Sequence, residues 1–179
     1  ALDWPPSQGG DTGPATEGKA ARMKAPFLAL ALAACATMPT DENVAGKTAM
    51  LWADMATPGY APPIVETVSA TEMAALRKSS FTIAAYLCRE RKMVIIRDHA
   101  TNDVWLSGIL VHELVHHKQC VEGRLNGRSN MCLIEVEAYQ AQIEWLREQG
   151  GAGFIAGTNA RNYAHSVEKY MRQNFSGCL

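Results

Sequence analysis

Apolar residues surround the segment Asp103–Gln119 on nearly every side. Trp105, Ile109 and Leu110 come early in it, Leu114 and Val115 follow, and it holds no proline and no glycine but Gly108. That pattern predicts a helix buried inside a domain rather than one lying on its surface. Thr101 or Asn102 is placed to cap it, with Asp103 in its first turn.

A second helix is expected over Ser129–Arg147, capped by Ser129 or Asn130. Its faces separate cleanly. Glu137, Gln140, Glu144 and Glu148 recur at spacings of three and four, a stripe that should face water. Glu135 falls instead with Met131, Ala138, Tyr139, Gln142 and Leu146, on the side where the first helix should pack.

Shorter elements surround this pair. Lys47–Ala56, between Gly46 and Pro58, is expected as a helix, and Pro62-Pro63 opens an extended segment, Ile64–Val68. Ser69-Ala70-Thr71-Glu72 reads as a capping box that starts a helix running to about Lys78. Ala84–Cys88 and Met93–Arg97, apolar and β-branched, flank the charged turn Arg89-Glu90-Arg91-Lys92 and predict a hairpin. After a flexible break at Gly150-Gly151-Ala152-Gly153, a last helix is expected over Asn159–Gln173. The whole predicts an α+β fold, helix-rich, with a small β-sheet or hairpin beside the buried helix.

The N-terminal part changes the picture of where this domain works. From Met23 the chain reads as a charged start, an apolar run over Ala25–Ala34 and small residues at its end, the form of a bacterial secretory signal. Leu32-Ala33-Ala34-Cys35 resembles a lipobox, with Cys35 as the lipidated residue. The apolar run is too short to span a bilayer as a helix of about 20 residues. Residues 1–22, rich in Gly, Pro, Asp and Thr, are expected to be disordered, a mis-set start or a tag. Residues 36–179 are then a single domain, exported to the periplasm, anchored to a membrane by lipid, or secreted.

Cysteine usage agrees with export. Beside Cys35 there are four others, Cys88, Cys120, Cys132 and Cys178, enough for two disulfides in three connectivities. A Cys120–Cys132 bridge would tie the two central helices, leaving Cys88 for Cys178. Net charge is −1 and basic residues do not cluster outside the hairpin turn, where Glu90 interrupts them. Nothing recommends nucleic acid as a partner, and a monomer is expected.

The candidate chemistry lies in His112-Glu113-Leu114-Val115-His116. On a helix, imidazoles four residues apart project from one face and can grip one metal ion, with the intervening glutamate beside the open coordination position. Buried as the pattern predicts, these groups would lack partners unless a metal and a cleft accept them. A chance match on a solvated helix is the competing reading, and the apolar neighbours argue against it.

Three and six residues after His116 stand Gln119 and Glu122, not the glycine and histidine of the metzincin pattern. The third ligand should therefore come from the second helix, and its face selects Glu135 over Glu137. Tyr139, one turn later, is expected to hydrogen-bond a ligand and hold its orientation. His117, rotated by about 100° from His116, is expected at the helix surface or behind the ligands. His99 falls in a turn before the helix.

His112-Glu113-x-x-His116, a gap of 18 residues, and Glu135-Val136-Glu137-Ala138-Tyr139 together resemble the gluzincin metallopeptidases. In these the third ligand opens an E-x-x-x-D or E-x-x-A-D stretch. The match covers about Val94–Leu146 and departs from the pattern at Tyr139, where better-known members have aspartate. The resemblance implies a zincin-like fold, Zn2+ held by His112, His116 and Glu135, and Glu113 as general base in hydrolysis of a peptide or protein substrate. By the same analogy Met93–Arg97 would lie along the cleft and pair with an extended substrate. Such a reaction needs a donor for the oxyanion, for which His165 and Tyr163 in the C-terminal segment are candidates. The alternative is an exported zinc-binding lipoprotein with a structural or binding role and no catalysis.

Overall fold

The computed structural model describes residues 40–55, 59–77, 82–100, 104–126, 131–150 and 154–179. The signal and lipobox at 23–35, the segment 1–22 and the expected caps at Thr101, Asn102, Ser129 and Asn130 lie outside the described residues.

The elements follow in the order α1 (Thr40–Asp54), β1 (Ile64–Val68), α2 (Ala70–Arg77), β2 (Ala84–Leu87), β3 (Lys92–Ile96), α3 (Val104–Val121), α4 (Met131–Gln149) and α5 (Phe154–Asn174). This is the expected helix-rich α+β arrangement. Helix α1 starts at Thr40 rather than Lys47, because Val44, Thr48, Leu51 and Trp52 form one buried face that continues past Gly46. Gly46 stands in open space and imposes no break. The capping box forms as expected: the Ser69 N–H donates to Glu72 Oε2 at 2.7 Å and the Glu72 N–H to Ser69 Oγ at 3.2 Å.

The three strands form one sheet in the order β1-β3-β2, with β3 parallel to β1 and antiparallel to β2. Successive side chains of β3 point to opposite faces. Met93 and Ile95 join Trp52 of α1 and Leu106, Leu110 and Leu114 of α3 in one core. Val94 and Ile96 pack with Met73 of α2 on the other face. Being central, β3 has both backbone edges paired, so the expectation that Met93–Arg97 lies along the cleft is corrected. The strand that lines the cleft is β2, at the sheet's edge.

Helix α3 passes between the sheet and α4, and twelve of its eighteen residues are buried, which is why it is apolar all round. Helix α4 in turn sets Val136, Tyr139, Ile143 and Leu146 against Ala164, Val167 and Met171 of α5. Helices α3 and α4 are antiparallel: Gly108, early in α3, lies on Leu146, late in α4, while the Gln119 amide at the other end of α3 donates to the Ile134 carbonyl at 3.1 Å.

Two disulfides form, Cys88–Cys120 and Cys132–Cys178, with Cα separations of 5.7 and 6.0 Å. The pairing of Cys120 with Cys132, and of Cys88 with Cys178, is thereby corrected. Gln119 occupies the position that faces α4, so Cys120, about 100° further round the helix, faces the hairpin turn that carries Cys88. Cys132 is left for the C-terminal turn after α5. Disulfides point to a non-cytoplasmic environment. Among the described residues no helix is long and apolar enough to cross a membrane.

Candidate metal centre

His112 and His116 project from one face of α3 toward α4, where Glu135 meets them. The His112 and His116 Nε2 atoms are 3.1 Å apart, and Glu135 sets Oε2 at 3.5 Å from the first and Oε1 at 3.6 Å from the second. Donor atoms of all three lie within 4.8 Å of one another, so the group could hold a metal ion. Glu137 points away, as its face predicts: the Arg124 guanidinium donates to Oε1 at 2.9 Å and also to Oε2.

Burial and charge act against each other here. Burial pushes the Glu135 carboxyl up, but hydrogen bonds from His112 and His116 and their charges outweigh it and hold the group well below the usual carboxylate range. Burial would likewise lower the His116 pKa. The Glu135 hydrogen bond and the charges of Glu113 and Glu135 prevail and raise it to about 9. The residues present are thus suited to a cation, which a proton on His116 supplies when no metal does.

Geometry tests the fit of a metal more directly. Tetrahedral zinc with bonds of about 2.0–2.1 Å puts neighbouring donors about 3.3–3.4 Å apart. The two imidazole Nε2 atoms, 3.1 Å apart, stand close to that value, the Glu135 carboxylate turns one oxygen toward each of them at 3.5 and 3.6 Å, and one donor atom from each residue lies within 4.8 Å of the others. His116 also has the support a ligand needs behind it, with its Nδ1 2.9 Å from Gln119 Oε1. Sequence reasoning missed Gln119, although its i+3 spacing from His116 was available as a signal.

The three residues open on a cavity of about 190 Å³, which Glu113 and Tyr139 also line, with the segment Thr82–Tyr86 along one wall. Glu113 is buried, at 7 % exposure. Tyr139 meets His112 through its ring, the centroids 4.4 Å apart, rather than through the expected hydrogen bond to a ligand. Tyr170 and Phe175 also pack on its ring, with centroids 5.6 and 5.5 Å away. Burial, and the neighbouring Tyr170, Glu135 and Glu113, keep its hydroxyl protonated.

His117 is not at the surface. It is 1 % exposed, and its Nε2–H donates to the Ala61 carbonyl at 2.9 Å, which leaves Nδ1 to accept from the Tyr86 hydroxyl at 2.7 Å. Trp52 packs on the ring at 4.6 Å. Burial lowers its pKa against the pull of the Ala61 bond. His117 thus ties α3 to β2 through Tyr86 and does not itself line the cavity. His99 lies beside Trp105 at 5.7 Å, while Tyr163 and His165, on α5, are not among the residues that line the cavity.

No curated protein and no solved structure matches the chain. A family model described as a domain of unknown function, DUF6647, matches residues 47–155, a span that contains His112, Glu113, His116 and Glu135. That span is more than half of the chain, and the protein therefore belongs to the DUF6647 family.

Proposed function

We propose that this protein is an exported, zinc-dependent metallopeptidase of the gluzincin type, with a zincin-like arrangement of α3, α4 and the sheet. The observation that carries the reading is the convergence of His112, His116 and Glu135, with donor atoms within 4.8 Å of one another, beside the buried Glu113 at the wall of one cavity. A zinc ion bound there would supply a Lewis acid that polarises a carbonyl and acidifies a water. Two imidazoles and one carboxylate leave a fourth position open, the donor set of catalytic rather than structural sites.

The chain's own residues account for the remaining steps. Glu113 accepts a proton from the attacking water and returns it to the leaving amine. Glu135 balances part of the positive charge, and Gln119 fixes the His116 ring. Along the cavity, the edge strand β2 offers backbone groups with which an extended peptide can pair. Export, with Cys35 as a lipid anchor, belongs to the same proposal, and the two disulfides support it.

The test is hydrolysis by the purified, zinc-loaded protein of a mixed peptide library, with fragments read by mass spectrometry. Cleavage is expected, abolished by a chelator and reduced at least ~100-fold in Glu113→Gln, which should still hold zinc. Stoichiometric zinc with no cleavage of any peptide would overturn the peptidase reading and leave a metal-binding role.

A further inference from the structure

Among the described residues, two buried side-chain atoms have no hydrogen-bond partner: His112 Nδ1 and Gln142 Oε1. A buried polar atom left so destabilises the fold. They are complementary in kind, since an imidazole whose Nε2 is given to a metal carries its hydrogen on Nδ1, and an amide oxygen can only accept.

They are also opposite each other. Gly108 of α3 touches Leu146 of α4. One turn forward along α3 leads to His112, and one turn back along the antiparallel α4 leads to Gln142. Both residues line the same cavity. Tyr139, at the position where a hydrogen-bonding partner was expected, packs its ring on His112 and leaves Nδ1 to another group. The second histidine already has such a partner in Gln119.

We propose that Gln142 is the positioning residue of His112: its Oε1 accepts the Nδ1–H, selecting the tautomer that frees Nε2 for the metal and fixing the ring. This rests on the metal-centre reading above. Each ligand histidine then has its own glutamine, Gln119 from the same helix and Gln142 from the facing one. A rotation of the Gln142 amide as the metal enters satisfies both atoms at once.

Zinc affinity, measured by competition with a chromophoric chelator, should fall about 10–100-fold in Gln142→Leu and stay within a few-fold of wild type in Gln142→Glu, which keeps an acceptor. The melting temperature of metal-free Gln142→Leu should be unchanged or raised, because an acceptor lacking a donor has been removed. In long-range 1H–15N spectra, zinc should bring out a slowly exchanging His112 Nδ1–H in wild type but not in Gln142→Leu. Equal zinc affinity in wild type and Gln142→Leu overturns the proposal and leaves the metal centre standing. Equal losses in both variants, with a lower metal-free melting temperature, show a packing role and overturn it too. A wild type that binds no zinc overturns the metal centre and this inference together.

Discussion

Gly108 of α3 lies so close to Leu146 of α4 that a Cβ added at 108 would stand 3.1 Å from Leu146 Cδ2. Leu146 is 1 % exposed and packed within the α4–α5 core, so it has little room to yield. The absent side chain lets the two helices approach one turn away from His112, and that approach brings Glu135 to the histidines.

Gly108→Val should therefore act on both stability and metal. Overpacking at this contact is expected to cost about 1–3 kcal/mol in denaturant unfolding. By displacing α4 it should also weaken zinc binding. A variant of wild-type stability and zinc affinity would show that the crossing does not depend on this contact.

Glu135 and Glu137 provide the sharpest comparison at the centre. Elemental analysis should find about one zinc per chain in wild type and in Glu137→Gln, and much less in Glu135→Gln. Glu137→Gln gives up a largely exposed pair with Arg124, which is worth about 0–1 kcal/mol. Loss of zinc in Glu137→Gln alone would reverse the assignment of faces.

Acidity links the metal and the fold in opposite directions. In the metal-free protein the His116 pKa is raised from 6.5 to about 9. Its contribution to stability is complete below the unfolded value and is lost as pH rises through the folded one. A metal needs the bare nitrogen and must displace that proton. From pH 6.5 to 9, chelator-treated protein should melt at progressively lower temperature while zinc affinity rises. Zinc affinity that does not change over this interval would remove His116 from the ligand set.

The disulfides should act as separate braces. Cys88 and Cys120 are 32 positions apart, and their bridge fastens the end of α3 to the hairpin. Replacing both by alanine is expected to cost about 2–4 kcal/mol in denaturant unfolding under non-reducing conditions. The pairing itself can be read by peptide mapping of unreduced protein. A Cys120–Cys132 linked peptide would restore the connectivity expected from sequence.

Much of the centre is legible in the order of residues alone. Residues three and four apart share a helix face, so His112 and His116 point together and Glu135 separates from Glu137 whatever the surrounding fold. Ile64–Val68 and the Ser69–Glu72 cap form within the bounds that local pattern predicts. These features depend on geometry inside one element.

What the sequence by itself determined, then, was direction: a buried helix carrying His112 and His116, the face it presents, and the glutamate that faces it. Only the tertiary structure decided partnership. That Cys120 meets Cys88, that His117 is held by Tyr86 and Ala61, that β2 rather than β3 lines the cavity and that Gln142 stands opposite His112 all follow from how α3 is packed between the sheet and α4. The period of a helix or strand sets where a side chain points, but which group waits there depends on contacts between segments distant in the chain.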